Sequence, residues 1–131
     1  MAKRVSRQGH KEIVNVVRRG ELYLVAFDPT VGHEIQKTRP ALIIQNDVGN
    51  QYSPLTIVAA VTSKVPVMSF PVEVVVEPAK AVGLKIRSAI RLDQIRTIDR
   101  QRLIKRLGSV DPATMRKVDE AIKISLGLVE L

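Results

Sequence analysis

A short polar stretch in the first third of the chain holds three kinds of side chain that together suit acid–base chemistry on a phosphate. Between Gly32 and Pro40 the sequence places His33, Glu34 and Arg39. A carboxylate can serve as a base, an imidazole can act as base or acid near neutral pH, and a guanidinium binds two phosphate oxygens at once. The stretch therefore indicates a phosphodiester as the group acted on.

The overall charge of the chain favours a polyanionic partner. The 131 residues include 21 Lys and Arg against 13 Asp and Glu, which gives a formal charge of +8 and a pI of about 10.2. Basic surfaces attract phosphates by electrostatics and by the release of counterions. Taken with the polar stretch, this charge predicts RNA as the partner.

Several other site types are not indicated by the sequence. The chain has no cysteine, and its two histidines, His10 and His33, are far apart, so neither a disulfide framework nor a zinc site is expected. There is no glycine-rich phosphate cradle and no GxSxG motif. No apolar run approaches the length of a membrane span. We expect a cytoplasmic protein that uses no metal and no cofactor.

Short apolar runs separated by turn residues are predicted to position the polar groups on a small sheet. Strands are expected at 22–27, 41–44, 55–61 and 72–77, with one or two more in 88–90 and 95–98. Pro40 is expected at the first position of the second strand, which holds Arg39 extended at a junction between loop and strand. Thr62 closes the third strand, and the polar run 46–50 is interpreted as a turn.

One amphipathic helix is predicted near the end of the chain. Asp111 supplies a cap and Pro112 a first-turn proline. Apolar residues then recur at steps of three and four and are expected to serve core or dimer packing: Met115, Val118, Ile122, Leu126 and Val129. Short strands with a single late helix favour a small barrel-like α+β domain at 19–131. Residues 1–18 form a basic arm, expected to be flexible or loosely helical.

Four segments, in this order and spacing, resemble the MazF/PemK-type toxin endoribonucleases of bacterial toxin–antitoxin systems. They are 19–23, 28–34, 38–47 and, after Ser88, 93–103, and the similarity runs from about Arg19 to the C-terminus. The resemblance implies an SH3-like barrel of antiparallel strands with a C-terminal helix, and a homodimer with an RNA groove along its interface. It further implies metal-independent cleavage of single-stranded RNA at a short motif, and inhibition by a cognate, MazE-like antitoxin.

The resemblance also implies roles for individual residues. Arg39, Thr62 and Glu34 correspond to catalytic positions of such toxins, and Gln94 to a position that reads bases. By its chemistry Arg39 suits a phosphate-binding cation better than a base, because a guanidinium stays protonated. Glu34 is then the better candidate for the base, while His33 can act as base or acid.

Other residues are expected to bind the substrate or to set its sequence. We assign Ser63, Lys64, His33 and Gln94 to substrate binding. His33 and Ile35 differ from the residues that many relatives carry, serine and glutamine, so the preferred RNA sequence is left open. An acidic antitoxin segment that folds on binding is expected to cover Arg39 and the region of Lys64.

Two other functions remain open at this stage. A basic domain of this kind can bind nucleic acid without cutting it. A toxin of the related CcdB type would instead poison DNA gyrase. Without the resemblance, each candidate residue is an ordinary one: Arg39 a solvated surface cation, Thr62 a strand residue, and Gln94 a turn or edge residue.

Overall fold

The computed structural model describes residues 16–29, 31–34, 37–66 and 70–130, and in these ranges the main element is one antiparallel sheet. Its strands are β1 (Glu21–Ala26), β2 (Thr38–Ile43), β3 (Leu55–Thr62), β4 (Glu73–Val76), β5 (Ser88–Asp99) and β6 (Leu103–Ser109). The spatial order is β4-β5-β3-β2-β1-β6, so β2 and β3 lie at the centre. The predicted α+β class, with antiparallel strands and a C-terminal helix, is confirmed.

Two apolar clusters form the core, one on each side of the sheet. The helix-side cluster is built on the long helix α2 (Pro112–Ser125) and contains Leu22, Leu42, Ala59, Val61, Val74, Val76, Leu84, Ile90, Leu92, Val118 and Ala121. The inner cluster contains Val17, Tyr23, Val25, Phe27, Ala41, Ile43, Val58, Ala60, Ile98 and Leu103. Neighbouring residues of the central strands alternate between the two clusters, because successive side chains of a strand point to opposite faces.

Helix α2 begins where the sequence predicts it. The Asp111 carboxylate accepts a hydrogen bond from the backbone N–H of Thr114 at 2.7 Å, and Pro112 occupies the first turn. Val118 is fully buried against the sheet. The helix ends at Ser125, so the last two members of the predicted apolar stripe, Leu126 and Val129, lie beyond it and are 60% and 43% exposed.

The polar run 46–50, interpreted as a turn, instead begins a short helix, α1 (Asp47–Tyr52). Asn46 caps it by accepting a hydrogen bond from the N–H of Gly49 at 2.7 Å. Asn50 is buried, and its side-chain oxygen accepts a hydrogen bond from the Thr56 hydroxyl at 2.8 Å. The same residue types that favour turns therefore serve here as a helix cap and as a buried link to β3.

Strands β5 and β6 differ most from the prediction. The segments 88–90 and 95–98 belong to one long strand, whose pairing with β3 shifts register between Ala59 and Ala60. Strand β6 was not predicted, because it is an edge strand with three successive exposed residues and no clean alternation. Its Gly108 lies so close to the turn before β5 that a Cβ atom there would be 2.4 Å from the carbonyl oxygen of Ala81.

The start of the described chain is fixed to the rest of the domain. Val17 is 3% exposed and packs in the inner cluster. Arg19 donates from Nε to the carbonyl of Ile44 at 2.8 Å and from Nη2 to the carboxylate of Asp119 at 2.6 Å. The predictions for the arm before residue 16 fall outside the described residues. None of the helices in the described ranges is long and apolar enough to cross a membrane.

Candidate functional site

Arg39 and Thr62 are brought together by the register of the two central strands. Ala41 of β2 pairs with Ala60 of β3, and continuing this antiparallel register by two residues sets Arg39 opposite Thr62. Residues related by this register share a face of the sheet, although the recorded pairing of β2 with β3 ends at Ala41 and Ala60. Both side chains lie on the face of the inner cluster, away from α2, because Ala41 and Ala60 belong to that cluster.

Each of these two residues is held by the strand on its outer side. Arg39 pairs with Val25 of β1, and Thr62 pairs with Ala89 of β5. Thr62 is 7% exposed, whereas Arg39 is half-buried. A cation and a hydroxyl are therefore presented side by side on a rigid base, which is the arrangement that positions a charged ligand well.

Pro40 lies inside β2 and not at its first position. It pairs with Leu24 of β1, while the pairing of β2 with β3 starts only at Ala41. The missing N–H of the proline therefore removes no hydrogen bond to β3 at this point. The strand consequently begins at Thr38, and Arg39 is a strand residue rather than the end of a loop.

The turn after β3 keeps Ser63 and Lys64 next to this pair. The Thr62 hydroxyl accepts a hydrogen bond from the backbone N–H of Lys64 at 3.1 Å. A threonine hydroxyl that accepts one bond still has its own proton to donate. Ser63 and Lys64 are both exposed, so they are available to a ligand that reaches Thr62.

The loop that joins β1 to β2 is closed at its base, which we call the loop neck and define as Phe27, Asp28 and Lys37. The N–H of Phe27 donates to the carbonyl of Lys37 at 2.9 Å, and the N–H of Lys37 donates to the carboxylate of Asp28 at 2.9 Å. Lys37 has a φ of 67°, a left-handed conformation that is uncommon for a residue with a Cβ. The neck fixes where the loop begins and where the chain turns into β2.

The described part of the loop carries His33 and Glu34, both exposed. One carboxylate oxygen of Glu34 accepts a hydrogen bond from the N–H of Val31 at 2.6 Å, and the N–H of Glu34 donates to the carbonyl of Val31 at 3.2 Å. Glu34 thus orders the loop around Val31. The bond from the N–H of Val31 uses only one of its two carboxylate oxygens. Ile35 lies outside the described residues.

Gln94 lies some way along the sheet from Thr62. Its neighbour Ile95 pairs with Ala59, three residues before Thr62 on β3, so Gln94 is about 10 Å from Thr62 in the strand direction. It is half-buried next to the register shift of β5 and is not a turn residue. A ligand that contacts both Thr62 and Gln94 must therefore be longer than one phosphate group.

An ion-pair network precedes Gln94 on β5. The Arg91 guanidinium donates to both carboxylate oxygens of Asp93 at 2.9 and 2.8 Å, and its Nε is 3.3 Å from a carboxylate oxygen of Glu73. Hydrogen bonds from Arg91 hold the pKa of the Asp93 carboxyl below its usual value. The network fixes the strand at the residue before Gln94.

Tyr23 lies in the inner cluster, one row below Arg39 on the neighbouring strand. It is 2% exposed, and burial together with the charge of Glu21 raises the pKa of its hydroxyl to about 12. The phenol therefore stays protonated at neutral pH and packs as part of the core. It is not a candidate base.

Two arginines to which the sequence analysis gives no role contact residues 26–28, which lead into the loop neck. Arg96 donates to the carbonyl of Phe27 at 2.9 Å, and its guanidinium carbon lies 5.4 Å from the centre of the Phe27 ring. Arg102 donates to the carbonyl of Ala26 at 3.0 Å and to that of Asp28. Both lie in the segment 93–103, but strand periodicity gives no signal for a contact so distant in sequence. Within the described ranges no three His, Asp or Glu side chains are grouped as a metal site.

Comparison with known proteins gives consistent results over this domain. A family model described as PemK-like, MazF-like toxin of type II toxin-antitoxin system matches residues 18–126. The chain is also 45% identical over 115 residues to Endoribonuclease EndoA of Bacillus subtilis, a match that covers 88% of this chain and 98% of that protein.

Solved structures agree in fold. The crystal structure of MazF (Form-I) from Deinococcus radiodurans superposes with a TM-score of 0.72 at 28% identity, covering 86% of this chain and 97% of the other. An endoribonuclease from a mycobacterial species, in complex with its cognate antitoxin, superposes with a TM-score of 0.71 at 25% identity and covers 88% and 100% of the two chains. The similarity spans the sheet and the C-terminal helix.

Proposed function

Because this chain belongs to the PemK-like, MazF-like toxin family of type II toxin–antitoxin systems, we propose that it is an endoribonuclease that cuts single-stranded RNA. The observation that carries the proposal is the placement of Arg39 opposite Thr62 on the central strands. A doubly hydrogen-bonding cation beside a hydroxyl is suited to a phosphodiester. The net charge of +8 supplies the attraction to a polyanionic substrate.

The reaction we propose needs no metal ion. The ribose 2′-oxygen attacks the adjacent phosphorus and gives its proton to a base, while the bond from phosphorus to the 5′-oxygen breaks and that oxygen receives a proton from an acid. The products are a 2′,3′-cyclic phosphate and a 5′-hydroxyl. Positioned acids and bases contribute about 10²–10⁴-fold each in such reactions.

Arg39 and Thr62 stabilise the charge that develops on the phosphate. The Arg39 guanidinium binds two oxygens of the pentavalent phosphorane and remains charged throughout. The Thr62 hydroxyl accepts a bond from the N–H of Lys64, which leaves its proton for a non-bridging oxygen. Lys64 and Ser63 bind the neighbouring phosphate or sugar.

The proton transfers are assigned to the loop. Glu34 is the proposed base, since its carboxylate is exposed and one oxygen is not used by the bond from Val31. His33, next to it, is the proposed partner for proton exchange with the leaving oxygen and a contact for the substrate. Gln94 contacts a different nucleotide from the one that is cut, because its neighbour Ile95 pairs with Ala59, about 10 Å along β3 from Thr62. It contributes to recognition of a short sequence motif.

The proposed partners are an antitoxin and a second copy of the chain. An acidic, MazE-like antitoxin segment would bind the cations that otherwise hold RNA, and a mycobacterial relative of similar fold has been solved with its cognate antitoxin. A homodimer with an RNA groove along its interface is proposed from the family alone. A cytoplasmic location is proposed as well, because the proposed RNA substrate is found there.

A cleavage assay with end analysis tests this proposal. Purified protein is incubated with a long single-stranded RNA in EDTA, and the cut positions and end groups are determined. We expect discrete cuts with 2′,3′-cyclic or 3′-phosphate ends and 5′-hydroxyl ends. Intact RNA with salt-dependent binding would indicate a non-catalytic binder, and inhibition of DNA gyrase without RNA cuts would indicate a CcdB-like toxin. Either of these outcomes would overturn the proposal.

A further inference from the structure

The carbonyl groups at the end of β1 are held by arginines from a distant part of the chain. The pairing of β1 with β2 ends at Ala26 opposite Thr38. Beyond this point carbonyl groups are usually satisfied by water or by turns. Here the three successive carbonyls of Ala26, Phe27 and Asp28 all accept hydrogen bonds from guanidinium groups.

The two arginines come from the end of β5 and from the 3₁₀ turn Arg100–Arg102 that precedes β6. Arg96 donates to the carbonyl of Phe27 and stacks on its ring, and the ring itself is fully buried. Arg102 uses one nitrogen, Nη1, for the carbonyls on either side of Phe27. Hydrogen bonds from a charged group are stronger than those between neutral groups.

The same segment forms the loop neck, so these contacts reach the proposed site. The N–H of Phe27 bonds the carbonyl of Lys37, and the Asp28 carboxylate accepts a bond from the N–H of Lys37. Lys37 is two residues before Arg39. A fixed Phe27–Asp28 backbone therefore determines both the direction of the loop that carries Glu34 and the point at which β2 begins.

We propose that Arg96 and Arg102 are positioning residues that hold the loop neck and thereby set the geometry between Glu34 and Arg39 for RNA cleavage. The kinetic part of this inference rests on the proposed function, whereas the part that concerns the loop neck does not. Neither arginine is required to touch the substrate. A displacement of about 1 Å at a reacting group can cost about 10²-fold in rate, so a loosened neck has a measurable effect.

The test uses the full-length chain and two substitutions at one position. Arg102→Lys keeps the positive charge but loses the planar guanidinium with its several N–H donors. Arg102→Met removes the charge and the donors and keeps only an apolar side chain of similar length. Arg106→Lys is the matched control: Arg106 is on β6, bonds the carboxylate of Glu21 at 2.8 Å and does not contact the neck. Amide hydrogen exchange over residues 26–39 and steady-state RNA cleavage are measured on each protein.

We expect faster exchange of the Phe27 and Lys37 amides in both Arg102 variants, with the control unchanged. We expect kcat to fall about 10- to 100-fold with KM changed much less, because the loss is in geometry and not in binding. Arg96→Lys should reproduce this split. The melting temperature of each variant is measured alongside, so that a rate loss in a protein that remains folded at the assay temperature is separated from unfolding.

Three results would count against the inference. Exchange at the neck equal to that of the Arg106→Lys control would show that the arginines do not hold it. Faster exchange with unchanged kcat would show that the neck does not set the reactive geometry. A rise in KM without a fall in kcat would assign the arginines to RNA binding instead. If the unsubstituted protein cuts no RNA, the proposed function fails, while hydrogen exchange still decides whether the arginines hold the neck.

Discussion

Arg39 and Thr62 lie on neighbouring central strands, each two residues beyond the paired Ala41 and Ala60, and on the same face of the sheet. Arg39 pairs with Val25 of β1 and Thr62 pairs with Ala89 of β5, so neither side chain depends on a loop for its position.

Removing the Arg39 guanidinium should abolish most of the RNA cleavage. We expect a fall of about 10³-fold in kcat/KM for Arg39→Ala and a smaller one, about 10–10²-fold, for Arg39→Lys, which keeps the charge but not the paired hydrogen bonds. Cleavage is measured on a fluorogenic RNA, and the circular dichroism spectrum checks the fold. Arg116→Ala, an exposed arginine on α2, is the control and should cleave normally. Near-normal cleavage by Arg39→Ala would refute the assignment.

The Thr62 hydroxyl should matter more than its methyl group. Thr62→Val keeps the shape of this buried residue and should lower cleavage by about 10²-fold, the usual effect of losing one donor to a developing negative charge. Thr62→Ser should retain much of the rate. In the double variant Arg39→Ala/Thr62→Val the losses should be less than multiplicative, because both groups act on one phosphate. Multiplicative losses would show that the two residues act at different places.

The catalytic base should be identified by replacing each loop candidate with glutamine, which is uncharged and has a similar size. Glu34→Gln keeps an oxygen that can accept the bond from the N–H of Val31 but cannot take up a proton. We expect kcat to fall by about 10²–10⁴-fold. His33→Gln tests the proton transfer to the leaving oxygen in the same way. If Glu34→Gln cleaves normally and His33→Gln does not, the base is His33.

Asp93 should contribute to stability in a defined pH range. In the folded protein the pKa of Asp93 lies below its usual 3.8, because Arg91 donates two hydrogen bonds to the carboxylate. The stability that Asp93 contributes is therefore complete above about pH 4 and is lost as the pH falls through the folded pKa. The difference in unfolding free energy between the wild type and Asp93→Asn should be constant from about pH 5 to 8 and shrink below about pH 4. Urea titrations measure it. In an Arg91→Met background the difference should lose this dependence, and its persistence there would contradict the explanation.

The antitoxin should act through charge on the proposed site. An acidic cognate segment at saturation should stop RNA cleavage, and its affinity should fall as salt is raised. Lys64→Gln should weaken antitoxin binding, whereas Lys123→Gln, on the far side of the sheet in α2, should not. Binding is followed by calorimetry at two salt concentrations. Undiminished cleavage at saturation would show that the segment binds elsewhere.

Much of the fold was predictable because its signals are local. Continuous apolar runs that end at turn residues indicate β1 and β3, and the Asp111–Pro112 pair indicates the start of α2. The prediction of a turn at 46–50 is wrong, because Asn and Asp favour both turns and the first turn of a helix such as α1. Strand β6 was missed because edge strands alternate poorly, and the stripe beyond Ser125 lies past the helix end.

The sequence suggests the candidate site residues one by one but not their arrangement. Arg39 and Thr62 were identified through the ordered resemblance, and no local pattern states that they are opposite, since strand register depends on pairing. The roles of Arg39, Thr62, Glu34, His33, Ser63, Lys64 and Gln94 remain predictions. The roles of Arg96 and Arg102 were not predicted because their partners are distant in sequence. The partner of Arg96 lies 69 residues away, and those of Arg102 lie 76 and 74 residues away.

Because the loop between β1 and β2 is closed at its base, its sequence can change independently of the strands that flank it. The bonds among Phe27, Asp28 and Lys37 use backbone groups and one carboxylate, so the amino acids at positions 31–36 can vary without altering where β2 begins. Homologous proteins that preserve this closure should accept one another's loop tips as grafts. Exchanging the other residues of this stretch, with His33 and Glu34 kept, is then a direct way to transfer a cleavage preference from one toxin to another while the proposed catalytic residues stay as they are.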